Sequence, residues 1–139
     1  MHDAIADGVI EMVAGAAREL VLGDPGQLAT DVGPVIDREA FENIQRHVAR
    51  LGTSARDLLP GMPVPASPAH LVAPRLFEVN AVADVTQEIF GPVLQVLRWS
   101  GDPAVVIDQI NALGYGLTLG IQSRIDSRAE ALAARAHVG

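Results

Sequence analysis

The chain has 139 residues, 49% of them hydrophobic and 4% aromatic, and a formal net charge of −7 with ten arginines and no lysine. That length suits one domain and leaves little room for two, with an aliphatic, alanine-rich core. The acidic balance argues against nucleic acid and against an anionic membrane surface as partners, and the absence of cysteine excludes disulfides, thiolate metal sites and a cysteine nucleophile within these residues.

Residues 3–22 read as an amphipathic helix, with Ile5, Val9, Met12, Val13, Ala16, Ala17 and Leu20 at helical spacing. Asp3, Asp7, Glu11 and Arg18 interrupt it too often for a signal peptide or a membrane span, so a cytoplasmic protein is expected. Residues 24–36 form a loop with two prolines and two glycines. A second helix is predicted over 37–51, capped by Asp37, buried along Phe41, Ile44, Val48 and Leu51, and ended by Gly52.

Residues 53–70 carry four prolines and little periodicity, which predicts a surface excursion. A strand is expected within 71–79, its first half demoted by Pro74. The run VLQVL makes 93–99 the strongest strand, and its continuity predicts burial on both faces. Asp102 and Pro103 open a helix over 103–113, Gly114 closes it, and 117–122 reads as another strand. Asp126 caps a last helix through His137, with Ala129, Leu132, Ala133 and Ala136 inward. The strand, helix and strand from 93 to 122 predict a right-handed βαβ unit. The whole pattern predicts an α/β layered fold with a mostly parallel sheet and flanking helices.

The residues with chemistry to offer are few. Glu88 precedes the strongest strand, and a carboxylate accepts hydrogen bonds from two vicinal hydroxyls, as a ribose requires. Phe90 presents an apolar face to a flat heterocycle, and the Gly91–Pro92 corner holds both residues relative to the sheet. A solvated acid beside a core phenylalanine is the competing reading. His2, His47, His70 and His137 stand at no metal-like spacing, and a helical surface position is expected for His47, so no metal is assigned. No G-x-G-x-x-G, phosphate-loop or nucleophile-elbow pattern occurs. Asp24 and Asp31 are expected to bond backbone, and Arg75 and Arg98 to pair with acids.

Beyond local chemistry, "QEIFGPV" resembles the E-I/V-F-G-P-V signature of the aldehyde dehydrogenase superfamily. The segments "GDPGQLATDVGPVIDREAFENIQRHV" and "APRLFEVNAVADVTQEIFGPVLQVLRW" agree with that family in order. "INALGYGLTLGIQSRID" and "AHVG" are similar to its 1-pyrroline-5-carboxylate (L-glutamate γ-semialdehyde) dehydrogenase branch, as in the dehydrogenase half of bifunctional proline utilization A proteins. The resemblance covers nearly the whole chain.

It implies NAD as cofactor and the oxidation of L-glutamate γ-semialdehyde to L-glutamate through a cysteine thiolate. By position, Glu88 matches the glutamate that holds the nicotinamide ribose, Phe90 the aromatic beside the nicotinamide, and Leu117 a residue lining the same pocket. The family's nucleophilic cysteine, Gly-rich loop and oxyanion asparagine match nothing here and lie upstream; its substrate-anchor loop lies downstream. Residues 1–139 are therefore expected to be a partial aldehyde dehydrogenase catalytic domain, inactive alone, whose partners are the rest of the same enzyme or further copies, and an aldehyde substrate. A non-catalytic module for oligomerisation or tunnel covering is the alternative, as is an enzyme for another aldehyde.

Overall fold

The computed structural model describes residues 1–138. Helix α1 spans Asp3–Arg18, and the His2 ring Nδ1 accepts the Ala4 N–H at 3.1 Å as its N-cap. Its buried stripe is Ala6, Ile10 and Ala14, with Val13 and Ala17 packed beside it. Ile5 and Met12, expected inward, are exposed. The helix also ends four residues before the expected Leu22. Asp31 is the reason: its Oδ2 accepts the Val21 N–H at 2.9 Å, and the Val21 carbonyl accepts from Asp31 and Val32. These bonds draw Leu22 into a bridge with Val32 and out of the helical ladder. Asp24, likewise, accepts the Gly26 N–H at 2.8 Å.

Helix α2 spans Arg38–Ser54, with the Asp37 Oδ1 accepting the Ala40 N–H at 2.8 Å. Ile44 and Leu51 are buried, while Phe41 and Val48 are half-buried. Gly52 lies within the helix and does not end it. Thr53 and Ser54 donate their hydroxyls to the Arg50 carbonyl, which carries the last turn past the glycine.

Strands β1 (Arg56–Asp57), β2 (Arg75–Val79) and β3 (Val93–Leu97) form one sheet in the order β1-β2-β3. The β1–β2 pair is antiparallel, and β2 and β3 run parallel from Arg75↔Val93 to Val79↔Leu97. Leu71–Ala73 and Pro74 are buried but stay outside the strand, as the missing proline N–H requires. The alternation of strand side chains sorts the core into two clusters. Leu76 and Val96 meet α1 through Ala6, Ile10 and Ala14, with Leu59 alongside. Phe77 and Val79 meet Leu51 of α2, with Val93 and Leu97 packed against them. The result is an α/β layered arrangement, a sheet between two helices.

Helix α3 spans Pro103–Ala112 and is capped by the Asp102 Oδ1, which accepts the Ala104 N–H at 2.9 Å. Gly114 ends it at φ +76°. Helix α4 spans Asp126–Arg135, two residues shorter than expected; Ile125 is the N-cap position and Asp126 lies in the first turn. None of its residues is buried, so the expected inward face of Ala129, Leu132, Ala133 and Ala136 is at most half-covered.

Two further expectations fail at the end of the sheet. Residues 117–122 form no strand, so the βαβ unit does not close. Strand β3 is not buried on both faces either: only Val96 is buried, and Leu94 is 50% exposed. Both have one cause. The β3 edge away from β2 lacks a continuous strand neighbour among the described residues, so neither segment gains the ladder and cover that a central strand has.

Candidate functional site

The loop that enters β3 is held at two points. A Cβ on Gly91 would stand 2.5 Å from the Ile44 Cδ1 and 3.2 Å from its Cγ1, so the loop backbone lies directly on the buried face of α2. The Gly91 N–H donates to the Ile89 carbonyl at 3.0 Å, and the Val93 N–H to the Gly91 carbonyl at 2.8 Å, two successive tight turns. One residue on, the Pro92 carbonyl accepts the Arg75 N–H at 2.9 Å and starts the β2–β3 ladder. A corner fixed to both a helix and a strand is a rigid base for the side chains before it.

Glu88 stands on that base and lines a cleft of about 350 Å³ shared with Val85, Ile110, Tyr115, Leu117 and Leu119. Its carboxylate makes no hydrogen bond or ion pair to the described residues. An ionised carboxylate offers acceptor positions on both oxygens, so this one is free to receive a pair of hydroxyl donors. Leu117 is 86% exposed and borders the same cleft. Phe90 is 81% exposed, but it does not line the cleft. The structure thus brings Glu88 and Leu117 together and leaves Phe90 on the open corner outside.

The far side of the cleft depends on residues that sequence reasoning passed over. Arg135 of α4 donates to both carboxylate oxygens of Asp108 on α3 at 2.6 Å. Asn111 donates through Nδ2 to the Arg135 carbonyl at 3.0 Å and accepts the His137 N–H at 2.8 Å through Oδ1. These bonds press 137–138 against Gly116, where a Cβ would lie 2.5 Å from the His137 carbonyl oxygen. Val138 thereby becomes part of the cleft wall. The Arg135 guanidinium holds the Asp108 carboxyl below its usual range, by hydrogen bonding first and charge second. Gly116, in "GYGL", is the one signal in the sequence that hints at this contact.

The other charged candidates serve the framework. Arg75 pairs with Asp57 at 2.6 Å and lies 5.0 Å above the Phe77 ring. Arg98 bridges Asp7 of α1 and Glu78 of β2, each at 2.7 Å. The hydrogen bond to Asp7, with that to Glu78 second, raises the Arg98 pKa above its usual value. Contrary to the expected surface position, His47 is 3% exposed. It faces inward because it follows Ile44 by three residues and precedes Leu51 by four, on the same side of α2. Its Nε2 is buried without a partner, and burial, with Arg50 nearby as the smaller cause, lowers its pKa.

A family model for the aldehyde dehydrogenase family matches residues 1–139. This chain belongs to the aldehyde dehydrogenase family. Its relatives include the bifunctional protein PutA of Escherichia coli (strain K12), 41% identical over the whole chain. The chain spans only 11% of the length of that protein. The 1-pyrroline-5-carboxylate dehydrogenase 1 of Halalkalibacterium halodurans is 30% identical, and this chain covers 27% of it. Among solved structures, proline utilization A of Bradyrhizobium japonicum superposes with a TM-score of 0.94 at 47% identity, over 99% of this chain and 14% of that one. The aldehyde dehydrogenase fold assigned from the sequence is therefore the fold of this chain.

Proposed function

We propose that residues 1–139 form the segment of an NAD-dependent aldehyde dehydrogenase catalytic domain that follows the nucleophilic cysteine and ends before the substrate-anchor loop. In this reading the complete enzyme works in the cytoplasm and oxidises L-glutamate γ-semialdehyde, derived from 1-pyrroline-5-carboxylate, to L-glutamate in proline catabolism. The observation that carries it is the unpartnered Glu88 carboxylate, set on a rigid corner and facing a cleft shared with Leu117. The similarity to PutA proteins and to a 1-pyrroline-5-carboxylate dehydrogenase supports the choice of aldehyde.

The residues present fit one end of NAD. Glu88 would accept the two hydroxyls of the nicotinamide ribose, and Leu117 would border the same volume. Phe90, exposed on the corner, would close over the nicotinamide from outside the cleft. When bound, NAD supplies the hydride acceptor. The chain's own task is to fix the ribose so that the acceptor carbon meets the substrate in one orientation. With no cysteine among its 139 residues, it has no group to attack the aldehyde, and the isolated chain is inactive.

The test is Glu88→Gln in the complete enzyme. A raised KM for NAD, or slowed hydride transfer, with an unchanged melting temperature supports the assignment; unchanged cofactor dependence removes Glu88 from the site. The isolated chain, given NAD and pyrroline-5-carboxylate, should show no NADH above background.

A further inference from the structure

Behind the Gly91 corner, on the inward side of α2, stands the one buried polar residue among the described residues, His47. It lies between Ile44 and Leu51 on that side of the helix. Leu51 packs with Phe77 and Val79 of the sheet. Ile44 lies against Gly91, where an added Cβ would stand 2.5 Å from its Cδ1. His47 therefore sits midway between the contact that seats α2 on the sheet and the contact that supports the loop of Glu88.

The surroundings of the ring fix its tautomer. The Arg50 Nη2 stands 3.3 Å from the His47 Nδ1. A guanidinium only donates, so Nδ1 accepts, and the neutral ring carries its hydrogen on Nε2. That Nε2 is buried and has no hydrogen-bond partner among the described residues. From the sheet, the charged groups on the α2 side are Asp57 of β1, opposite Phe77, and Arg75 of β2, above the same ring; they pair with each other at 2.6 Å. From the segment before β2, the His70 ring rests 6.0 Å from that of Phe41. From the loop, Glu88 turns to its cleft. None of these gives His47 an acceptor. A second proton can enter only at Nδ1, where it would confront the Arg50 donor. Acid thus breaks the ring's one hydrogen bond, sets two like charges side by side and leaves a cation in a buried position.

We propose that His47 is a proton-sensitive positioning residue for Glu88, acting through Ile44 and Gly91. Neutral, the ring stays packed inward and Ile44 supports the corner. Charged, it turns toward water and lifts the middle of α2, which takes Ile44 off Gly91. The corner then loses its base, and Glu88 no longer meets the ribose in one orientation. NAD is held near neutral pH and released in acid. The inference rests on the cofactor assignment proposed above.

NAD binding to the complete enzyme, measured by titration calorimetry at pH 7.5 and 5.5, tests this without turnover. Acidification should raise the dissociation constant by roughly three- to ten-fold. The upper limit is that of a histidine of ordinary pKa, about 6.5, which is neutral in about a tenth of molecules at pH 5.5. In His47→Gln and His47→Phe, which cannot take up the proton, the ratio between the two pH values should fall below about two-fold. Ile44→Val lacks the Cδ1 methyl that approaches Gly91 but keeps the histidine. Its urea midpoint should still fall between the two pH values while its binding ratio shrinks. The proposal is overturned if the unsubstituted enzyme shows no rise, or if the ratio persists in the His47 variants or in Ile44→Val. Glu88→Gln separates the two readings. Unchanged NAD binding in that variant at pH 7.5 defeats the cofactor assignment; weakened binding there, with the ratio persisting in the His47 variants, defeats this inference alone.

Discussion

Replacing Gly116 with alanine would show how the Glu88 cleft is closed. The new Cβ would sit 2.5 Å from the His137 carbonyl oxygen and 3.5 Å from the Val138 Cα, so a backbone must move. Overpacking a closed core costs about 1–3 kcal/mol, but here one side of the clash is a tail at the surface. The tail will yield before the strain exceeds what holds it. That hold is the His137 N–H bond to Asn111 at 2.8 Å, worth about 1 kcal/mol, and the partial burial of Val138. Gly116→Ala should therefore cost about 1 kcal/mol, not 3, which at a urea m-value of about 1–3 kcal/mol/M moves the midpoint by roughly 0.3–1 M. Asn111→Ala removes the same bond and also the one to the Arg135 carbonyl. In the double variant the shared bond is lost once, so the costs should fall short of additive by about 0.5–1 kcal/mol. Urea unfolding of the four proteins measures this. Strict additivity would show that Gly116 does not act through 137–138, and a cost-free Gly116→Ala would show that the close approach does not persist in solution.

Phe77→Ala should cost about 3–5 kcal/mol and abolish a cooperative thermal transition, because this fully buried ring anchors the α2 side of the sheet. His47 has a folded pKa below its unfolded value of about 6.5. The stability of its neutral form is thus fully present above that pH and lost as pH falls below it. His47→Phe should flatten the fall in urea midpoint between pH 7.5 and 5.5; an unchanged slope would rule His47 out. Asp108 acts in the same direction in a more acidic window: its depressed pKa gives stability present above the ordinary carboxylate range and lost as pH falls through the folded value. Asp108→Asn should remove that acid-side loss, and salt should shrink the effect, since both partners are half-exposed. In the complete enzyme, Glu88→Gln should raise KM for NAD or slow hydride transfer by roughly ten-fold or more, in line with about 1.5–3 kcal/mol for a charged hydrogen bond; a change below two-fold in both would sink the ribose assignment.

Local signals carried much of this molecule. Asp37 and Asp102 cap the helices they announce, Gly114 ends one, and the EIFGPV loop turns where its glycine and proline stand, because each effect is decided within a few residues. The pattern of motifs also identified the family over the whole chain. What local rules could not decide was anything set by a distant neighbour. The inward turn of α1 onto Ala6 and Ile10, in place of Ile5 and Met12, follows from which face meets Leu76 and Val96. His47 is buried because its side of α2 faces the core, although histidine alone gives no such preference. Residues 117–122 have the composition of a strand, yet a strand exists only where another supplies hydrogen bonds, and none lies beside them among the described residues. The site divides in the same way. Sequence alone named Glu88, Phe90 and Leu117, while only the tertiary structure decided that Glu88 and Leu117 share one cleft, walled by Val138 where 137–138 pack on Gly116, and that Phe90 lies outside it.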